Sequence, residues 1–107
     1  MNKEQLEKLS DFEINKRIAC IQGMDYSCVT EQMVHDYNMR DYCNNPSDMM
    51  PLVFEVSMTI DLGVSRLIHI YMPKDKYDKP TYTCRRKAGE LRAAAIAYLL
   101  MQGDNHE

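Results

Sequence analysis

Four cysteines (Cys20, Cys28, Cys43, Cys84) and three histidines (His35, His69, His106) are the residues best equipped for chemistry. Their spacing argues against each chemistry in turn. Zinc sites draw their ligands as close pairs from turns, whereas seven, fourteen and forty residues separate these cysteines, with no C-x-x-C. A metal site is therefore not expected. Nucleophilic catalysis needs a Ser or Cys with a base and an oxyanion hole. The chain has no G-x-S-x-G, no glycine-rich phosphate loop and four glycines in all. His35 and His69 have no carboxylate at catalytic spacing, His106 lies in a tail, and no motif supports convergence of Cys43 with His35. A free cysteine is more often a small buried hydrophobe. The reading is no catalytic residue, no cofactor and no enzyme.

Charge is the stronger signal. Residues 25–61 hold seven acids and one base, a net of −6, while residues 74–92 hold seven bases and three acids, a net of +4. The whole chain carries −3. Charge runs are usually solvated surface. Read functionally, the acidic middle suits a basic groove on a protein partner, with Asp36, Asp41 and Asp48 as contacts and Met49 and Met50 as an adaptable docking patch. The bland reading of the two methionines is core. The alternative is an anion or nucleic-acid site using Lys74, Lys76, Tyr77, Lys79, Arg85, Arg86 and Lys87, where an aromatic ring stacks beside cations that neutralise phosphate.

These residues must be held by one domain spanning 1–107, since 107 residues leave no length for a second core. Leu, Ile, Val and Phe number 22, and nine Met and seven Tyr add apolar area, so the chain should fold. The first 24 residues have no signal-like apolar run, and the longest such run, 93–101, is far short of the roughly 20 residues that span a bilayer. Localisation in the cytoplasm of a bacterial host, without membrane association, is the expectation. A reducing cytoplasm argues against disulfides.

The patterning predicts a small α+β fold. Ser10 and Glu13 form an S-x-x-E capping box, Leu9 and Ile14 a hydrophobic staple, and Phe12, Ile14, Ile18 and Ile21 a helical face, so a helix is expected over about 11–22, with Gly23 as its stop. A short turn is expected over 3–8. Tyr26–Thr30 has strand-forming residues, and 32–37 is a short strand or a helical turn. Asn45 caps a helix entry with Pro46 at its first position, and Pro51 limits that helix. Phe54, Val56, Met58 and Ile60 alternate with polar residues, predicting a strand over 53–61 that pairs antiparallel with 66–72. A polar loop over 73–80 leads to a third strand over 81–86. A helix over about 88–102, ended by Gly103, packs across the sheet. It is apolar almost all round, so it is either central to the fold or one half of a dimer seam. The modest count of large apolar residues favours a homodimer through residues 91–101.

Three stretches, LSDFEINKRIA (9–19), DYCNNPSDMMPLVFE (41–55) and LRAAAIAYLLMQ (91–102), resemble in order and spacing the NinX-like family of small lambdoid-phage proteins. They cover roughly a third of the chain, and the DYCNNP-D stretch is the specific one. The chain departs from the family at Met50, where Trp is usual, and at Ala88-Gly89-Glu90, where Asn-Pro is usual. The resemblance implies a phage or prophage source and an accessory role, not a reaction. The expected function is stoichiometric binding to a host protein, most sharply inhibition of a bacterial defence system, as an anti-CRISPR acts on a basic nuclease or CRISPR effector. The alternatives are nucleic-acid or nucleotide binding through 74–87, and a small enzyme.

Overall fold

The computed structural model describes residues 2–62, 66–73 and 79–106, the last four of these by backbone alone. Short helices come first: α1 (Lys3–Glu7), α2 (Asp11–Ile21), α3 (Glu31–Asp36) and α4 (Pro46–Glu55). Three strands follow, β1 (Thr59–Asp61), β2 (Leu67–Tyr71) and β3 (Tyr82–Arg85). A 3-10 turn, Arg86–Ala88, leads into the long helix α5 (Glu90–His106). The class is α+β, with an antiparallel sheet ordered β1-β2-β3.

Side-chain caps fix the helix starts. Asn2 and Gln5 make a reciprocal capping box on α1. Ser10 Oγ accepts the Glu13 N–H at 3.2 Å on α2, Thr30 accepts the Met33 N–H on α3, and Asn45 accepts the Ser47 N–H on α4. Three helices end alike, with a left-handed residue and an N–H reaching back five positions. Gly23 (φ 86°) lets Met24 bond to the Ala19 carbonyl, Asn38 (φ 51°) lets Met39 bond to that of Val34, and Ser57 (φ 55°) lets Met58 bond to that of Val53.

The strand expected over 53–61 is corrected. Residues 53–55 close α4, and only 59–61 are strand. The Asn45 cap and Pro46 commit the backbone to helix, and Met49, Leu52 and Val53, at helical spacing, are the buried set. Phe54 then points outward at 73% exposure. Pro51, expected to limit α4, sits inside it. Pro51 and Ser47 are both exposed, so the missing hydrogen bond falls on the solvent side, where water replaces it. The expected strand over 26–30 is a turn instead, because Asp25 takes the Ser27 N–H and the Val29 N–H bonds to the Tyr26 carbonyl. Residues 31–36 are helical.

In the sheet, Thr59 pairs with Tyr71 and Asp61 with His69, while Leu67 pairs with Arg85 and His69 with Thr83. One face carries Ile60, Ile68, Ile70, Tyr82 and Cys84, and α5 packs against the sheet there. The other carries Asp61, Leu67, His69, Tyr71, Thr83 and Arg85. Helix α5 also packs on α1, α2 and α4, so every residue from Ala93 to Leu99 is buried within one chain. The residues expected to form a homodimer seam over 91–101 are thus covered, from Ala93 to Leu99, by the chain's own elements: a helix apolar on all sides is here the centre of one chain's core. Nor does Gly103 end α5, which continues to His106. Glycine lowers helix propensity by only about 1 kcal/mol and sets no steric bar.

Candidate functional site

The carboxylates read as partner contacts separate into two groups. Asp41 and Asp48 belong to an internal joint. Asn15, 2% exposed on α2, donates from Nδ2 to Asp41 Oδ1 at 2.9 Å, and its Oδ1 accepts the Cys43 N–H at 3.3 Å. The Asp41 N–H donates to Asp48 Oδ2 at 2.9 Å, tying the 41–45 turn to the first turn of α4. Asn44 Nδ2 donates to both Asp41 oxygens and to Asp11 Oδ2. Arg92 on α5 completes the joint, with Nη1 2.6 Å from Asp11 Oδ1 and Nη2 on the Glu7 and Leu9 carbonyls. The stretch 41–48 thus fastens α2 to α4, and Arg92 ties α5 to the start of α2. Arg40 lies 3.9 Å from Asp48, whose side chain is only 17% exposed. Met49 is fully buried, which corrects its reading as a docking residue, and Met50 packs partly buried against the core.

Of the five residues read as partner contacts, Asp36 alone is exposed. Asp25, Glu31 and Glu55 share its exposure. Beside them stand two large side chains missed from sequence: Tyr37, 72% exposed, and Phe54, 73% exposed. Each is adjacent in the chain to an exposed carboxylate, Asp36 for Tyr37 and Glu55 for Phe54. Ser47, Pro51 and Phe54 form one exposed face of α4 at helical spacing, legible once the Asn45 cap is given more weight than the period-two alternation.

The basic set remains at the surface where it is described. Lys79, Arg85, Arg86 and Lys87 are exposed, while Lys74, Lys76 and Tyr77 lie outside the described residues. The fold adds Arg66, which the segment 74–92 left out. The Arg86 N–H donates to the Arg66 carbonyl at 2.9 Å, and Leu67 pairs with Arg85. The Arg86 guanidinium reaches the Leu62 carbonyl at 2.7 Å.

Burial, aided by the Asp11 charge, pushes the Cys43 thiol up to about 12, so it stays protonated at neutral pH. Burial likewise raises Cys84. Cys20, Cys28 and His35 are exposed. His69 does have a carboxylate nearby in space: the register sets Asp61 and Thr83 on either side of it, and its Nδ1 lies 3.1 Å from Thr83 Oγ1. Pairing across strands created this row, which no spacing along the chain displays. Among the described residues no group of three His, Cys, Asp or Glu is placed to hold a metal ion, and no helix is long and apolar enough to cross a membrane.

Compared with protein-family models, curated proteins and solved structures, the chain matches none of them.

Proposed function

We propose that this chain is a binding protein that acts by stoichiometric attachment to a basic host protein, through the exposed surface of its acidic segment. The observation that carries the reading is the coincidence of Tyr37 and Phe54, about three-quarters exposed, with the neighbouring exposed carboxylates Asp36 and Glu55. Large aromatics that can be desolvated supply most of the energy in protein interfaces. Carboxylates around them select a basic partner and raise the encounter rate. The resemblance to NinX-like phage proteins supports a phage or prophage source and action in the host cytoplasm. The sharpest form of the reading is inhibition of a bacterial defence system such as a CRISPR effector, whose basic nucleic-acid groove an acidic surface would occupy.

The contacts assigned by this reading are Asp36, Tyr37, Phe54 and Glu55, with Asp25 and Glu31 contributing to the field. Asp41 and Asp48 support the fold beneath them. Titration of the partner's activity tests the mode of action. Complete loss at equimolar protein supports a stoichiometric binder. Loss at a small fraction of an equivalent, growing with time, would replace it with a small enzyme.

A further inference from the structure

The end of the sheet where β2 begins and β3 ends gathers cations from separate parts of the sequence. The bond from Arg86 N–H to the Arg66 carbonyl and the pairing of Leu67 with Arg85 bring Arg66, Arg85 and Arg86 to one end of the ladder, with Lys87 following in the 3-10 turn. All four are exposed. Among the described residues, neither Arg66, Arg85 nor Lys87 forms an ion pair. Like charges so concentrated repel one another, and an anion relieves that repulsion.

The outer face of the sheet continues from Arg85, whereas Arg66 and Arg86, one residue out of phase with Leu67 and Arg85, fall on the α5 side of the ladder's end. Alternation along β2 places Leu67, His69 and Tyr71 on the same side, with Arg85 opposite Leu67 and Thr83 opposite His69. Leu67 is 37% exposed, and the His69 and Tyr71 rings are half-buried, 6.4 Å apart and tilted by 40°. Among the described residues the acid on this face is Asp61, which belongs to β1, on the side away from β3. The potential therefore rises across the sheet from β1 to β3, and the rings lie between.

We propose that this face binds single-stranded nucleic acid, with phosphates on Arg85 and Lys87 and bases stacked against His69 and Tyr71. Stacking tolerates any base sequence, and a flat sheet with aromatic side chains accommodates about two or three unpaired bases. A duplex hides its base faces and could use only the cations. An acidic peptide would also use the cations alone. The site is independent of the Tyr37 and Phe54 surface, so either can fail without the other.

Fluorescence anisotropy with labelled oligo-dT of about 12 nucleotides, the matching duplex and poly-glutamate of similar length tests the proposal. The single strand should bind at least about tenfold more tightly than either competitor, with affinity falling steeply between about 50 and 200 mM salt. Arg85→Glu with Lys87→Glu, both at exposed positions, should weaken binding at least about tenfold and lower the salt slope by about 1.4, at roughly 0.7 per phosphate contact. His69→Leu should weaken binding about fivefold or more while leaving the salt slope unchanged. Circular dichroism melts establish that each variant is folded. Equal binding of duplex or poly-glutamate, no binding at low salt, or full affinity in the folded Arg85→Glu, Lys87→Glu variant would overturn it.

Discussion

Asn15 and Asp41 stand 26 residues apart in the chain and 2.9 Å apart in the fold, joined by a bond from the Asn15 amide to the carboxylate. The same Asn15 side chain takes the Cys43 N–H. One nearly buried amide therefore fixes the position of the 41–45 turn on α2. Replacing it by Ala strands the Cys43 N–H and takes one of the donors from Asp41, so Asn15→Ala should cost about 2 kcal/mol. A urea melt checks this, and the loss should appear as a lower midpoint with an unchanged slope.

Tyr42 offers the opposite case. It is 1% exposed, and among the described residues its hydroxyl is the buried side-chain polar atom with no hydrogen-bond partner. Deleting a hydroxyl that bonds to nothing removes a desolvation cost and leaves the ring's packing intact. Tyr42→Phe should therefore be neutral or stabilising by up to about 1 kcal/mol. A thermal melt that fell by several degrees would show that the hydroxyl has a partner.

Ser57 ends α4 with φ 55°, a conformation that costs an L-residue about 1–2 kcal/mol. Ser57→Gly removes that strain at the expense of greater freedom in the unfolded chain. The net gain should be about 0.5 kcal/mol, or roughly 2–4 °C in melting midpoint. Ser57→Val, branched at Cβ, should shift it downward.

Alkaline pH should destabilise the fold. Burial raises Cys43 from an ordinary 9.0 to about 12 and Tyr42 from 10.0 to about 12, and raises Tyr82 with help from its bond to Glu7. The folded chain holds these protons and the unfolded chain releases them first. Their contribution is thus complete below about pH 9 and is lost as pH rises toward the folded values. Urea midpoints measured from neutral pH upward should be flat and then fall, and Cys43→Ala should make the fall shallower.

The ends of the fold were legible because their signals are local. Ser10 caps α2, Gly23 stops it, and Ile68, Ile70 and Met72 alternate into the core. The stretch 53–61 misled because Phe54, Val56, Met58 and Ile60 satisfy period two, while the burial that decides between helix and strand comes from distant α5. The site was less legible for the same reason. Asp36, Asp41 and Asp48 look alike in sequence, yet only Asp36 is exposed, because the joint that holds the other two depends on Asn15 of α2 and Arg92 of α5, both distant in the chain. Arg66 joined the basic set only through strand pairing.

The central claim is that the acidic, aromatic surface carries binding. The direct test is quantitative capture from a bacterial host lysate by four immobilised forms of the chain: wild type, Tyr37→Ser with Phe54→Ser, Asp36→Lys with Glu55→Lys, and Arg85→Glu with Lys87→Glu. All six substitutions fall on exposed positions, so melting midpoints should stay within a few degrees. The account predicts a basic protein, retained at equimolar amount by the wild type and the Arg85, Lys87 form, and lost from the other two. Retention by the folded Tyr37, Phe54 and Asp36, Glu55 forms, or loss from the Arg85, Lys87 form alone, would contradict it.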